Sequence, residues 1–321
     1  MLACLNMAPV SPACVPIGVR STAGRAGWVR ALGIAVAFGL ALAGCAHAPD
    51  RPRPGKLEAI VSHDGVQLLE AGKPVLFYRR VPAPGRETWR MHYVHPLHSV
   101  AGAVVTEDAP ADHIHHRGIF WAWRRILVDG ERVADGWVGD RLVLQSDAPG
   151  VQHLDDGSVR IDVRVTWLVP LAGRPVPIVE ENSAIRAYPV AGGQRRIDVT
   201  VALRALRRGV ELAGTDDDKG YGGLSMRFAH PELAVIESDG RRLQATTASM
   251  ETGPDVAFLW PTLAAPWPGR IVASCTVDGR PWTRWVLRQE PSMQNCAFPG
   301  ARPIPVPSSG SLELGTTLYL R

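Results

Sequence analysis

Six of the ten histidines in this 321-residue chain fall between His92 and His116, in Met91-His-Tyr-Val-His-Pro-Leu-His98 and in Asp112-His-Ile-His-His-Arg-Gly118. Imidazole can donate, accept or ligate near neutral pH, so such a cluster is where chemistry is first sought. Read as extended chain, Asp112 to Arg117 would project His113 and His115 from one face and Asp112, Ile114 and His116 from the other. Two imidazoles at i, i+2 are a usable first pair for a divalent metal. His116 stands beside them as a third candidate ligand, and His95, His98, Glu107 and Asp108 qualify by chemistry alone. Without metal, the same histidines suit general acid and base catalysis or sugar binding, with Arg117 orienting a carboxylate or hydroxyl. The plainest alternative is that they are surface residues or satisfied core residues.

Directly after the cluster comes Ile119-Phe-Trp-Ala-Trp-Arg-Arg125. If the strand continues, Trp121 and Trp123 share a face, and paired indoles beside polar groups are what the apolar face of a sugar stacks against. A core role is the competing reading. A second constellation is Thr215-Asp-Asp-Asp-Lys-Gly-Tyr-Gly-Gly-Leu-Ser-Met-Arg227, a glycine-rich loop leading into a strand over 224–228. Its glycines permit close backbone approach, while Asp218, Lys219, Tyr221 and Arg227 offer acid, base and anion-holding groups. The loop lacks the Gly-x-x-x-x-Gly-Lys-[Ser/Thr] pattern of a phosphate loop. Glu180-Glu181-Asn182 and Arg186 could offer a carboxylate to a cleft, but they read first as a salt-bridged strand edge.

The elements that must position these residues are strands. Val159, Ile161, Val163, Val165 and Trp167 alternate with Arg160, Asp162, Arg164 and Thr166, and Ile197, Val199, Val201 and Leu203 repeat the pattern. Turn signals at His63-Asp-Gly65, Ala71-Gly-Lys73, Asp129-Gly130, Asp155-Asp-Gly157, Gly192-Gly193, Asp239-Gly240 and Asp278-Gly279 separate the runs. No segment sustains a helical period, and 27 Pro with 32 Gly argue further against helices. The expected fold is all-β, a large antiparallel β-sandwich over residues 57–321, with Leu312 to Leu320 as a final strand closing a sheet.

The first 45 residues hold no Asp or Glu, carry Arg20, Arg25 and Arg30, and run through an apolar stretch, Ala31 to Ala43, to Gly44 and Cys45. That stretch is below the roughly 20 residues that span a bilayer. It ends in Leu42-Ala-Gly-Cys45, which is similar to the lipobox of bacterial lipoprotein signals. Cleavage before Cys45 and lipidation there would place the domain in the cell envelope, anchored to a membrane by lipid alone. Ala46 after the cysteine implies the outer membrane, facing the periplasm or the cell surface. Residues 46–56 read as a Pro-rich tether. Removing residues 1–45 takes three of the 35 basic residues and none of the 31 acidic ones, leaving 32 − 31 = +1. So neutral a domain is not a nucleic-acid binder by charge. Cys4 and Cys14 leave with the signal and Cys45 takes lipid. Cys275 and Cys296 remain, either paired in an oxidising compartment or separately buried.

Tyr93-Val-His-Pro-Leu-His98, Thr106-Glu-Asp108, Asp112-His-Ile-His-His-Arg-Gly118, Phe120-Trp-Ala-Trp123 and Lys219-Gly-Tyr-Gly-Gly223 together resemble a PmoA-like family of secreted bacterial proteins of unknown function, related by fold to the galactose-mutarotase-like supersandwich. The resemblance covers roughly residues 57–235 well; beyond about residue 250 the usual family ending is hard to find, with Trp260-Pro and Trp282-Thr-Arg-Trp285 in a different arrangement. Ile114 stands where that family commonly has Pro. The resemblance implies the sandwich and a sugar-related role, without establishing a reaction. The leading expectation is a carbohydrate-active hydrolase or lyase using His113, His115, His116, Arg117, Lys219 and Tyr221. His95, His98, Trp121, Trp123, Asp218 and Arg227 would touch substrate, with a divalent metal on the histidines as the open cofactor question. A non-catalytic sugar-binding lipoprotein and a copper- or zinc-binding protein are the competing readings.

Overall fold

The structure, a computed structural model, describes residues 55–321; the signal segment, Cys45 and most of the tether lie outside the described residues. Apart from one short 3-10 turn, Pro231–Leu233, every regular element is a strand, and all pairings are antiparallel. The expectation of an all-β sandwich therefore holds. A nine-stranded sheet runs, in spatial order, Leu57–Val61, Gly65–Glu70, Lys73–Arg79, Tyr93–Leu97, Ile119–Trp123, Gly222–Met226, Gln294–Cys296, Arg284–Val286 and Met250–Glu251. An eleven-stranded sheet is built around Arg270–Val277, Leu312–Leu320, Arg195–Ala205, Arg174–Ala187 and Val159–Leu171 as neighbours. Ile304–Pro305, Val210–Ala213, Arg125–Val128 and Glu131–Ala134 form a small third sheet.

The period-two pattern does what its physics requires. Val159, Ile161, Val163, Val165 and Trp167 are buried, as are Ile197, Val199, Val201 and Leu203, while their alternating neighbours face outward. Each inward aliphatic chain contributes about 2 kcal/mol through removal of apolar surface from water. Leu312–Leu320 follows the same alternation but does not close an edge. It lies inside its sheet, between Arg270–Val277 and Arg195–Ala205, with Leu314 opposite both Val201 and Val277. A strand's own pattern shows which face is buried and not how many neighbours it has.

The two large sheets are tied across the core by polar and covalent contacts as well as apolar ones. Cys275 and Cys296, one from each sheet, form a disulfide with Cα atoms 6.4 Å apart, so the paired alternative is the one the fold adopts. Glu181 is buried between the sheets and accepts from Trp121 Nε1 at 2.6 Å and Trp167 Nε1 at 2.8 Å. It also meets His92 Nε2 at 2.5 Å and the Ser183 hydroxyl, while the Tyr78 hydroxyl bonds the other His92 nitrogen at 2.7 Å. Burial alone would raise the Glu181 pKa. The His92 imidazole and the hydrogen bonds from His92, Ser183 and Trp121 outweigh it and hold the carboxyl below its ordinary value.

Candidate functional site

The histidine segment is not extended. Two consecutive turns, His113 N–H to Pro110 O at 3.1 Å and His116 N–H to His113 O at 2.9 Å, fold residues 110–116 back on themselves. The outcome differs from the two-face arrangement expected of a strand, because all three rings gather. His113 and His116 stack with centroids 4.6 Å apart and planes 1° from parallel, and His115 stands edge-on to both, at 5.7 and 4.7 Å.

Two buried arginines hold this loop. At one side Arg90 pairs with Asp108 and donates to the Ile114 carbonyl, and the Tyr93 hydroxyl adds a bond to Asp108 at 3.0 Å. At the other, Arg227 reaches Glu107 at 2.7 Å and Asp112 at 3.0 Å. Asp112 in turn lies 2.7 Å from His113 Nδ1. Gly118 ends the loop at φ 49°, where a Cβ would lie 2.1 Å from the Val94 carbonyl oxygen, so only glycine permits the chain to enter the next strand here.

The second loop folds around Asp217, whose Oδ1 accepts from the Thr215 hydroxyl at 2.5 Å and from the Lys219 and Gly220 amides at 3.1 and 3.2 Å. Gly220, at φ 56°, packs so closely on Gly300 that a Cβ would come within 2.9 Å of its Cα. The loop feeds Gly222–Met226, which pairs directly with Ile119–Trp123. This pairing brings the two constellations to one cleft of about 300 Å³, lined by His113, His115, His116, Trp137, Lys219, Tyr221, Val286, Arg288, Ser292 and Met293.

Other expected site residues go elsewhere. Trp121 and Trp123 do share a face, but that face is the main core. They are 5 % and 0 % exposed, and their indole N–H groups are spent on Glu181 and on the Phe298 carbonyl. Neither can stack on a sugar. The opposite face of the same strand, Phe120 and Ala122, packs with Trp137, Tyr93 and Met293 beneath the cleft, and Tyr221 rests against that cluster. His95 bonds the Thr106 hydroxyl at 3.0 Å and His98 the Gly102 carbonyl at 3.2 Å; neither lines the cleft. Asp218 is exposed, and what its residue contributes is a backbone carbonyl that accepts from Ser249. Arg227 is buried and ion-paired, and so holds the loop rather than meeting a ligand. Glu107 and Asp108 are likewise committed to arginines. Glu180 pairs with Arg204 and Arg186 with Asp156, the salt-bridged edge expected, while Glu181 turns inward.

Arg117 lies behind the cleft. Its guanidinium sits 4.7 Å from the Phe120 ring centroid and 5.2 Å from that of Trp89, and it donates to the His115 and Trp137 carbonyls at a long 3.4 Å. Among the described residues no carboxylate forms an ion pair with it, and burial, followed by the nearby Arg90, lowers its pKa to about 10.

Burial, then repulsion from His113 and from Arg124, Arg117 and Arg90, takes His115 down to about 4. Burial followed by its two neighbouring imidazoles takes His116 to about 2. Both rings are therefore neutral at pH 7. His116 Nδ1 and Trp137 Nε1 are buried without a hydrogen-bond partner, as is Arg117 Nε behind them. Each such group costs about 1–3 kcal/mol when it stays unpaired. Three of them gather beside this cleft, a polar cost that the fold itself does not offset.

The ring geometry does not fit a metal. A metal bound by imidazole lies in the ring plane along a nitrogen lone pair, and the parallel planes of His113 and His116 share no such point, so at most one of these two rings could join His115. Among the described residues no group of three or more His, Cys, Asp or Glu side chains is arranged to hold a metal ion. The i, i+2 spacing suggested a ligand pair because it assumed a strand; the turns set His113 and His115 edge-on and stack His113 on His116 instead.

Trp137, Arg288, Ser292 and Met293 were missed by sequence reasoning. Trp137 had a local signal in Asp135-Gly-Trp137, where Asp135 accepts the Trp137 amide at 2.8 Å and pairs with Arg124 and Arg132. The other three arrive on the loop between Arg284–Val286 and Gln294–Cys296, far along the chain, and carried none.

Fold and site together define an all-β sandwich with an imidazole-rich, carboxylate-free cleft on the outer face of one sheet. The chain belongs to the family described as a family of unknown function (DUF6807), which matches residues 65–320. That match is compatible with the resemblance to secreted proteins of unknown function, but nothing in it points to the PmoA-like group. A comparison with curated proteins finds no match.

Proposed function

We propose that the protein is a carbohydrate-active enzyme of the cell envelope that works by imidazole acid–base chemistry. The observation that carries this reading is the coincidence, in one cleft, of an oriented imidazole (His113 on Asp112) with Lys219 and Tyr221 of the second loop. Asp112 fixes which His113 nitrogen is free to exchange a proton, as second carboxylates do for catalytic imidazoles generally. Tyr221 with Trp137 supplies an aromatic wall of the kind a sugar ring packs against, their centroids 4.9 Å apart. Lys219 and Tyr221 approach from the second loop.

The test is incubation of the protein with a broad set of glycans, read for new reducing ends or unsaturated uronates, beside His113→Ala. Turnover lost in a folded variant supports the reading. A sugar-binding lipoprotein is the alternative: there the same variant would change affinity and no product would form from any glycan.

The anchor belongs to the same proposal. A lipid on Cys45 would hold the domain at the envelope, where glycans are the abundant polymers. Metabolic labelling with a radioactive fatty acid should mark the parent and not Cys45→Ser; equal labelling of both would refute lipidation at that residue.

A further inference from the structure

The charge lining the cleft is one-sided. Lys219 and Arg288 join three histidines in its wall, and no Asp or Glu is among the lining residues. The carboxylates around it are paired: Asp112 with Arg227, Asp108 with Arg90, and the exposed Glu290 with Arg288 at 3.3 Å. Behind the wall, Arg117 is buried with no carboxylate partner. Lys219 is held only loosely, its Nζ 3.7 Å from Asp217, and both side chains are more than a third exposed. Such a cleft attracts anions. It also lacks what glycoside hydrolysis ordinarily needs, two carboxyl groups about 5–10 Å apart flanking the scissile bond.

We infer that the substrate is an acidic polysaccharide containing hexuronate, and that the protein cleaves it by β-elimination. This rests on the carbohydrate reading above and specifies its substrate and reaction. Lys219 pairs with the sugar carboxylate, and Arg288, already bound to Glu290 and to two carbonyls, adds its positive field; this makes the adjacent C5 proton removable. His113, its Nδ1 held by Asp112, takes that proton on Nε2. The electron pair forms the C4=C5 double bond as the C4–O bond breaks, and the Tyr221 hydroxyl gives its proton to the departing oxygen. The imidazolium then returns a proton to the phenolate through solvent. No water is consumed, and no oxidant or metal is needed for atoms and electrons to balance. Arg288 also lines a neighbouring cleft of about 300 Å³ with Ala245, Thr246, Thr247, Gln289 and Glu290, and its guanidinium donates to the Thr246 and Thr247 carbonyls at 3.2 and 3.0 Å. The arginine thus stands between two adjoining hollows, as a groove for a chain of sugars requires.

The full chain, purified in detergent, is incubated with pectate, alginate, glucuronan and heparan-type polymers, each beside its carboxyl-reduced form. Two readouts are followed, ultraviolet absorbance of the unsaturated product and new reducing ends. The expected result is unsaturated ends from at least one acidic polymer and none from its reduced partner. Tyr221→Phe and His113→Gln should lower the rate by about 100-fold or more, while Lys219→Met raises KM more than it lowers kcat. The melting temperature of each variant is checked, and Tyr221→Phe removes only a hydroxyl. Reducing ends without absorbance would mean hydrolysis: the elimination would be refuted and the carbohydrate-enzyme reading kept. Cleavage of neutral glycans only would overturn the acidic substrate. No cleavage of any polymer would overturn both.

Discussion

Asp112 Oδ2 lies 2.7 Å from His113 Nδ1, and the same carboxylate is gripped from its other side by the buried Arg227. A guanidinium thus fixes a carboxylate that fixes an imidazole, and the turn between Pro110 and His116 holds all three in register. Asp112→Asn should leave the fold in place, since Arg227 keeps Glu107, with a stability loss of about 1–3 kcal/mol because Arg227 is buried and only Asp112 is partly exposed. It should change the tautomer balance of His113, visible in its imidazole nitrogen shifts, and lower kcat with little change in KM. Unchanged nitrogen shifts would show that Asp112 does not orient the ring.

Trp121 and Glu181 are predicted to matter for stability alone. Glu181→Gln leaves His92, Trp121 and Trp167 facing a group that cannot accept as an anion in a dry interior. A cost of about 3 kcal/mol follows, measurable as a shift in the denaturant midpoint. Trp121→Phe should lower the melting temperature without altering glycan affinity. A loss of affinity in a variant that stays folded would return Trp121 to the site.

The disulfide joins the two sheets across a 21-residue separation. Chain-entropy arguments put its contribution at about 3 kcal/mol. Unfolding in denaturant with and without reductant, or with Cys275→Ser/Cys296→Ser, should show that difference. Coincident curves would mean that packing alone sets the sheets' separation.

Stability should fall as pH drops below neutrality. His115 is held near 4 and His116 near 2 when folded, against about 6.5 in an unfolded chain. Between 6.5 and 4 the unfolded state therefore binds protons that the folded state refuses, so stability is full above 6.5 and declines as pH falls toward 4. The groups facing His115, namely His113, Arg124, Arg117 and Arg90, all push in the same direction. The melting temperature should be lower at pH 5 than at pH 7.5, and His115→Gln/His116→Gln should shrink that difference. An equal pH slope in parent and variant would contradict the assignment.

Alternation over Val159–Leu171 and Arg195–Ala205, and the Gly-bearing turns between runs, were enough to read an all-β sandwich, because side-chain period is a local property. Chemistry-bearing types were legible too: the histidine cluster and Lys219-Gly-Tyr221 were singled out, and of these His113, His115, His116, Lys219 and Tyr221 line one cleft. What local pattern could not decide was direction. Trp121 and Trp123 alternate as a strand requires, yet which face meets the core depends on the opposing sheet, where Trp167 and Glu181 wait. His113 and His115 looked like a ligand pair only on the assumption of a strand. Two turns, held by Arg90 and Arg227, set them edge-on and stack His113 on His116 instead. Arg288, Ser292 and Met293 enter the cleft through strand pairings that no spacing encodes. The sequence by itself thus determined the class of fold and the inventory of reactive groups, since both follow from residue type and short period. The tertiary structure alone decided which groups face one another and which are spent on the core, because long-range pairing sets contacts between residues far apart in the chain.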